Sequence, residues 1–343
     1  MQNDTMDTSD EFPYDTEIVA MNLFVPWALD ISQDGTLYVT ERSGSIWILR
    51  NGEFLPEPLI TFDRPFVSLG EGGLMGLVLD PDFEQNHYIY VMHSYAEGGM
   101  NYSRVVRLLE QEDRAAVDSV LIDRIPGGRT HLGGRIKIGP DRKLYITTGD
   151  AGNARLAQDL SSLAGKILRI NLDGSIPEDN PFEASPVYSY GHRNPQGLAW
   201  NNNIMYASEH GQTAHDEINI IYPGANYGWP TVQGDVESEF TRPLLASGNT
   251  TWAPAGIAFI NQGPWQGRLV VANLFATRIL SLSFNEDGTL VEQVEPFLVN
   301  EYGRLRDVYQ AADGSIYLTT SNRDGRGFPR PEDDKMIRLV PRS

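Results

Sequence analysis

From Val25 onward, apolar and polar positions alternate with a period of two in short runs, each bounded by Gly, Asp, Asn or Pro. Such alternation puts successive side chains on opposite faces of an extended strand, and the bounding residues are those that tight turns require. The runs recur as a repeated unit. In the first unit they fall at 27–31, 37–40 and 46–49; in the second at 77–79, 88–91 and 105–108; in the third at 136–138, 144–147 and 167–170. The fourth, fifth and sixth units open at 197–200, 256–259 and 306–309. No long helical periodicity interrupts them.

A unit of this size cannot bury its own apolar faces, whereas radial stacking of the sheets buries them and leaves only short edges. The pattern therefore predicts an all-β fold, a six-bladed β-propeller with four-stranded antiparallel blades. A pair of β-sandwiches would leave the similarity between units unexplained. Length alone would suggest about two domains for 343 residues; the repeat instead makes residues 18–343 one domain. Residues 1–17 carry Asp4, Asp7, Asp10, Glu11 and Asp15 and read as an acidic, solvated tail.

Charge narrows the function. A formal charge of −19 is incompatible with a nucleic-acid footprint and repels anionic membranes. No apolar run approaches the roughly 18 residues of a spanning helix, so no membrane insertion is expected. The absence of cysteine excludes disulfides, a thiolate nucleophile and sulfur-ligated metals.

Candidate chemistry sits in polar or glycine-rich turns beside the strands. His131 precedes the first run of the third unit, and Asp150 follows the second, which puts both at the same end of one blade. An imidazole titrates near pH 6.5 in solution and serves as a general base, and a carboxylate on its other nitrogen fixes the tautomer. The alternative is that His131 caps a turn. Arg193, beside Asn194, offers a permanent charge and a planar fork for carboxylates or oxyanions, or else a blade-to-blade ion pair. Arg304 and Arg306 alternate, so they face one side of an extended segment and repel unless an anion lies between them. That anion is a ligand, or a counterion such as Glu301 or Asp307. Glu217 and the backbone near Tyr227 supply the hard oxygens calcium prefers; Asp216 and Glu217, taken alone, read as a solvated surface pair.

Taken together, the blocks 191–197 (GHRNPQG), 168–177 (LRINLDGSIP) and 226–230 (NYGWP), with the stretch 77–90, resemble the soluble pyrroloquinoline quinone (PQQ)-dependent glucose/sorbosone dehydrogenases, of the aldose sugar dehydrogenase type. The resemblance covers about residues 25–340. It implies PQQ and calcium as cofactors, an aldose substrate oxidised at C1 to a lactone, and a soluble electron acceptor. It also implies a periplasmic or extracellular monomer or homodimer. It makes His131 the base, Asp150 its partner, and Arg193, Asn194, Arg304 and Arg306 contacts of the quinone. Carbonyls of Gly211 and Gln212 would hold one calcium ion, and Glu217 with the Tyr227 carbonyl a second. The chain departs from the family at several positions. Glu71 takes the place of a cofactor-contacting glutamine, Phe275 that of a lysine, Arg155 and His210 those of glutamines, and Gln212 that of a proline. Two other readings of the same fold are a calcium-dependent lactonase-like hydrolase, with Glu71 and Asp150 as ligands, and a non-catalytic binding propeller.

Overall fold

The computed structural model describes residues 12–342. Six antiparallel sheets follow one another along the chain, and their first strands are Pro26–Ile31, Leu74–Leu79, Ile136–Ile138, Pro195–Asn201, Pro254–Phe259 and Leu305–Gln310. Each of these strands packs against the next, and the last returns to the first, closing a ring around a hub. Each blade then steps outward through consecutive antiparallel strands, as the alternation in sequence predicts. The first blade departs from four strands, because Ile60–Thr61 and Glu53–Phe54 both pair with Ser45–Arg50. Among the described residues helix is confined to one turn at Phe83–Asn86 and a 3-10 segment at Ala154–Gln158. No helix among the described residues is long and apolar enough to cross a membrane.

The core lies between blades, where inward side chains of neighbouring sheets interlock. Trp27, Ile46, Leu74, Ile89, Val106 and Ile136, drawn from the first three blades, belong to one fully buried cluster. This burial is what the radial arrangement achieves and an isolated sheet could not.

Ring closure corrects the reading of residues 1–17 as a tail. Tyr14–Ala20 is a strand, paired with Met336–Pro341 as the outermost strand of the sixth blade. Tyr14 is buried with its ring 4.8 Å from that of Trp265. Of the acidic residues that suggested a tail, Asp15 is an exposed position of this strand and pairs with Arg342 at 2.9 Å, as Glu17 does with Arg338 at 3.5 Å; Asp4, Asp7, Asp10 and Glu11 lie outside the described residues. Residues 1–11 lie outside the described residues.

The topology also fixes where chemistry can collect. In an antiparallel blade the start of the first strand and the end of the second lie at the same end of the sheet. The loops at these two positions, from all six blades, converge over the mouth of the hub.

Candidate active site

Those loops enclose a cavity of about 330 Å³, within the range of small-molecule sites. Glu71, His131, Arg193 and Arg304 come from segments just before first strands. Arg42, His210, Phe275 and Asp324 come from segments just after second strands. Trp27, Met75 and Leu132, all buried, supply its apolar part.

His131 Nδ1 lies 2.8 Å from Asp150 Oδ1, and Arg193 Nη2 lies 3.0 Å from His131 Nε2. A guanidinium can only donate, so Nε2 is the acceptor and Nδ1 carries the proton. His131 is thus the neutral tautomer whose basic lone pair points away from Asp150. Asp150 is buried and also accepts from the Gly152 N–H and the Trp229 indole N–H, each at 2.8 Å. Burial alone would raise its pKa, but the hydrogen bonds from His131, Gly152 and Trp229 outweigh it and hold Asp150 below the usual carboxylate range.

The backbone is built around this dyad. His131 adopts a left-handed φ of 57°, which costs a β-carbon-bearing residue energy and persists only where its surroundings hold it. The Glu71 carboxylate accepts the His131 N–H at 2.8 Å, and the Ala151 N–H donates to the His131 carbonyl at 3.0 Å. Gly149 passes so close that a β-carbon there would sit 2.0 Å from that carbonyl oxygen. Glu71, a puzzling carboxylate in an anion site, is bound on its other oxygen by Arg326 at 2.8 Å.

Five arginines, Arg42, Arg193, Arg304, Arg306 and Arg326, line the cavity against three carboxylates, Glu71, Asp216 and Asp324. This is a cationic chamber in a chain of net charge −19. The counterion for the Arg304/Arg306 pair is neither Glu301 nor Asp307. Asp324 takes that place, at 2.8 Å from Arg304 and 3.6 Å from Arg306. Asp307 instead pairs with buried Arg135 at 3.0 Å, beneath the cavity. Arg306 also donates to Ser321 and Gln196, and burial, reinforced by Arg304, Arg42 and Arg135, lowers its pKa to about 10 against the opposing pull of Asp324. Arg193 forms no ion pair among the described residues, so the blade-to-blade alternative fails for it. Burial holds the His210 imidazole, whose Nε2 donates to the Pro254 carbonyl at 2.7 Å, down to about 3, so it adds no charge to the site.

The remaining expected residues divide. Asn194 is buried and lines the cavity, its side-chain oxygen accepting the Gly133 N–H at 3.0 Å. Gly211 and Gln212 line it too, and no described backbone donor engages their carbonyl oxygens. Asp216 is not a solvated residue. It is buried and accepts the N–H groups of Gly211, Trp252 and Ala253, shaping the 211–212 loop. Glu217, Glu209 and Tyr227 surround a separate void of about 20 Å³. Burial and then the Glu209 charge raise the pKa of Glu217. Phe275 stands exposed at the rim, while Arg155 does not reach the cavity.

Sequence reasoning missed Arg42, Trp229 as a carboxylate partner, Asp324 and Arg326. Trp229 lay inside a quoted motif and carried that signal; the other three are lone charged residues in unremarkable loops.

Residues 23–330 match the model of a protein family described as glucose/sorbosone dehydrogenase. The chain belongs to the glucose/sorbosone dehydrogenase family. Aldose sugar dehydrogenase YliI of Escherichia coli is 30% identical over 339 residues, covering 90% of each chain. Among solved structures of similar proteins, a putative oxidoreductase (glucose dehydrogenase) of Thermus thermophilus is 42% identical with a TM-score of 0.88, covering 95% of this chain and 100% of that one. The PQQ-bound aldose sugar dehydrogenase of Streptomyces coelicolor is 37% identical with a TM-score of 0.86, covering 95% and 98%. As a glucose/sorbosone dehydrogenase family member, the chain is a sugar-dehydrogenase-type oxidoreductase on a six-bladed propeller.

Proposed function

We propose that this protein oxidises aldose sugars at C1 to lactones, with PQQ as hydride acceptor, calcium as its Lewis acid and a soluble acceptor taking the electrons onward. The observation that carries the reading is the His131–Asp150 dyad opening onto an arginine-lined cavity. A flat, tricarboxylate quinone fits the residues present: the arginines match its carboxylates and Trp27, Met75 and Leu132 match its ring. The free carbonyls of Gly211 and Gln212 suit a hard cation beside it. Glu217, facing Glu209 and Tyr227 around a small void, suits a second one that is purely structural.

When bound, PQQ supplies the two-electron sink and calcium polarises its oxygens. The protein supplies the rest. His131 Nε2 takes the proton of the anomeric hydroxyl. Asp150 holds Nδ1–H in place and stabilises the imidazolium that forms. Arg193, already at that nitrogen, moves its charge toward the anionic ligand.

The lactonase reading needs Glu71 and Asp150 free to bind metal. Glu71 is engaged by His131 and Arg326, and Asp150 by three donors. The test is to add PQQ and calcium to the purified protein, then glucose and a dye acceptor. Bleaching of the quinone and reduction of the dye support the proposal. Quinone binding without sugar oxidation across a panel of aldoses would overturn it.

A further inference from the structure

The two arginines expected to hold the quinone carboxylates are largely spoken for. Arg304 is doubly bonded to Asp324, and Arg306 is shared among Asp324, Ser321 and Gln196. Arg42, at the end of the second strand of the first blade, is in the opposite condition. Its guanidinium lines the cavity, yet it forms no ion pair among the described residues. Among the described residues its only side-chain hydrogen bond is a long one, 3.4 Å from Nη2 to the Asp324 carbonyl oxygen, and its Nε is buried with no partner there. Burial lowers its pKa, and the charges of Asp324, Glu71 and Asp334 only partly offset this while Arg304 adds to it. A half-buried cation whose Nε is sealed off without a partner is costly unless something else satisfies it.

We propose that Arg42 is a cofactor-binding residue, a further carboxylate anchor that pairs with the anionic quinone when it binds; this rests on the functional reading above. The segment around it is built to present it. The Arg42 N–H donates to the Val25 carbonyl at 3.1 Å, and its own carbonyl accepts from Leu74, so its backbone is tied to two blades while its side chain is left to the cavity. Gly73 approaches that carbonyl so closely that a β-carbon would stand 2.1 Å from it, which fixes the spacing of the two loops.

The test measures PQQ binding to the calcium-loaded protein by quenching of tryptophan fluorescence, for wild type, Arg42→Gln and Arg42→Lys. A charge-assisted anchor predicts a dissociation constant raised about 10- to 100-fold in Arg42→Gln. It also predicts a smaller rise in Arg42→Lys, and a shallower salt dependence of binding in Arg42→Gln. Without quinone, the melting temperature of Arg42→Gln should match or exceed wild type, because no strong protein contact is lost. Affinity within twofold of wild type would overturn the proposal, as would an Arg42→Gln protein that is unfolded or melts well below wild type without ligand, since that marks a structural arginine. If wild type itself fails to bind PQQ, it is the functional reading that falls.

Discussion

Arg193 Nη2 stands 3.0 Å from His131 Nε2, so a permanent cation occupies the lone pair that the proposed chemistry uses. The guanidinium is stacked 5.4 Å above the Trp229 ring, whose own N–H is spent on Asp150. Base, orienting carboxylate and cation are therefore one connected unit. An anionic ligand that draws Arg193 toward itself also frees the imidazole, which couples filling of the cavity to readiness of the base.

Replacing His131 with Ala should lower the rate of sugar-driven quinone reduction about 10²- to 10⁴-fold while leaving the quinone dissociation constant within a fewfold of wild type. Asp150→Asn should fall nearly as far. An amide can donate to Nδ1, which moves the imidazole proton to Nε2 and removes the base. Single-turnover bleaching separates chemistry from binding in both variants. Near-normal bleaching in His131→Ala would remove the histidine from its assigned role.

Gly149→Ala tests the scaffold instead of the dyad. Its new methyl group would meet the His131 carbonyl, so the 131 loop must shift. Activity should fall at least tenfold, because displacements of about 1 Å cost that much and more. A circular dichroism spectrum unchanged from wild type would show the blades intact.

Glu71→Gln keeps an oxygen for the His131 N–H but removes one negative charge from the cavity. PQQ should bind about 3- to 10-fold more tightly. The lost pair with Arg326, whose side chain is 63% exposed, should cost at most about 1 kcal/mol of stability. Isothermal titration reads the first effect and urea unfolding the second. Weaker binding would mean that the carboxylate is required as such.

His93, in the second blade and outside the cavity lining, is buried against Phe62, and burial lowers its pKa to about 4. The unfolded chain, with an ordinary histidine near 6.5, binds the proton first as pH falls. Stability is therefore retained above about pH 6.5 and lost progressively toward pH 4. Between pH 7 and 5 this one group should cost roughly 2 kcal/mol. His93→Gln should start from a lower stability yet show a flatter profile over the same interval, as measured by urea denaturation.

The propeller and the His131–Asp150 pair were legible because both are written locally. Alternation marks the strands, and His131 and Asp150 flank a hairpin within twenty residues of each other. What escaped was written at long range. Tyr14–Ala20 does not alternate, two of its exposed residues are acidic, and its pairing strand lies more than three hundred residues away. Asp324 and Arg326 sit in a loop with no motif, and only ring closure brings Arg326 beside Glu71. Adjacent Asp216 and Glu217 looked solvated because neighbours in a strand face opposite ways, and nothing local indicated that loops would cover one of them.

The pairing of Tyr14–Ala20 with Met336–Pro341 has a consequence for biosynthesis. Among the described strands Tyr14–Ala20 is synthesised first, and its partner last, so it must wait as a bare edge until the sixth unit has been made. Closure of the toroid thus waits on synthesis of the sixth unit, and a nascent chain halted within that unit would carry an open seam and no finished chamber.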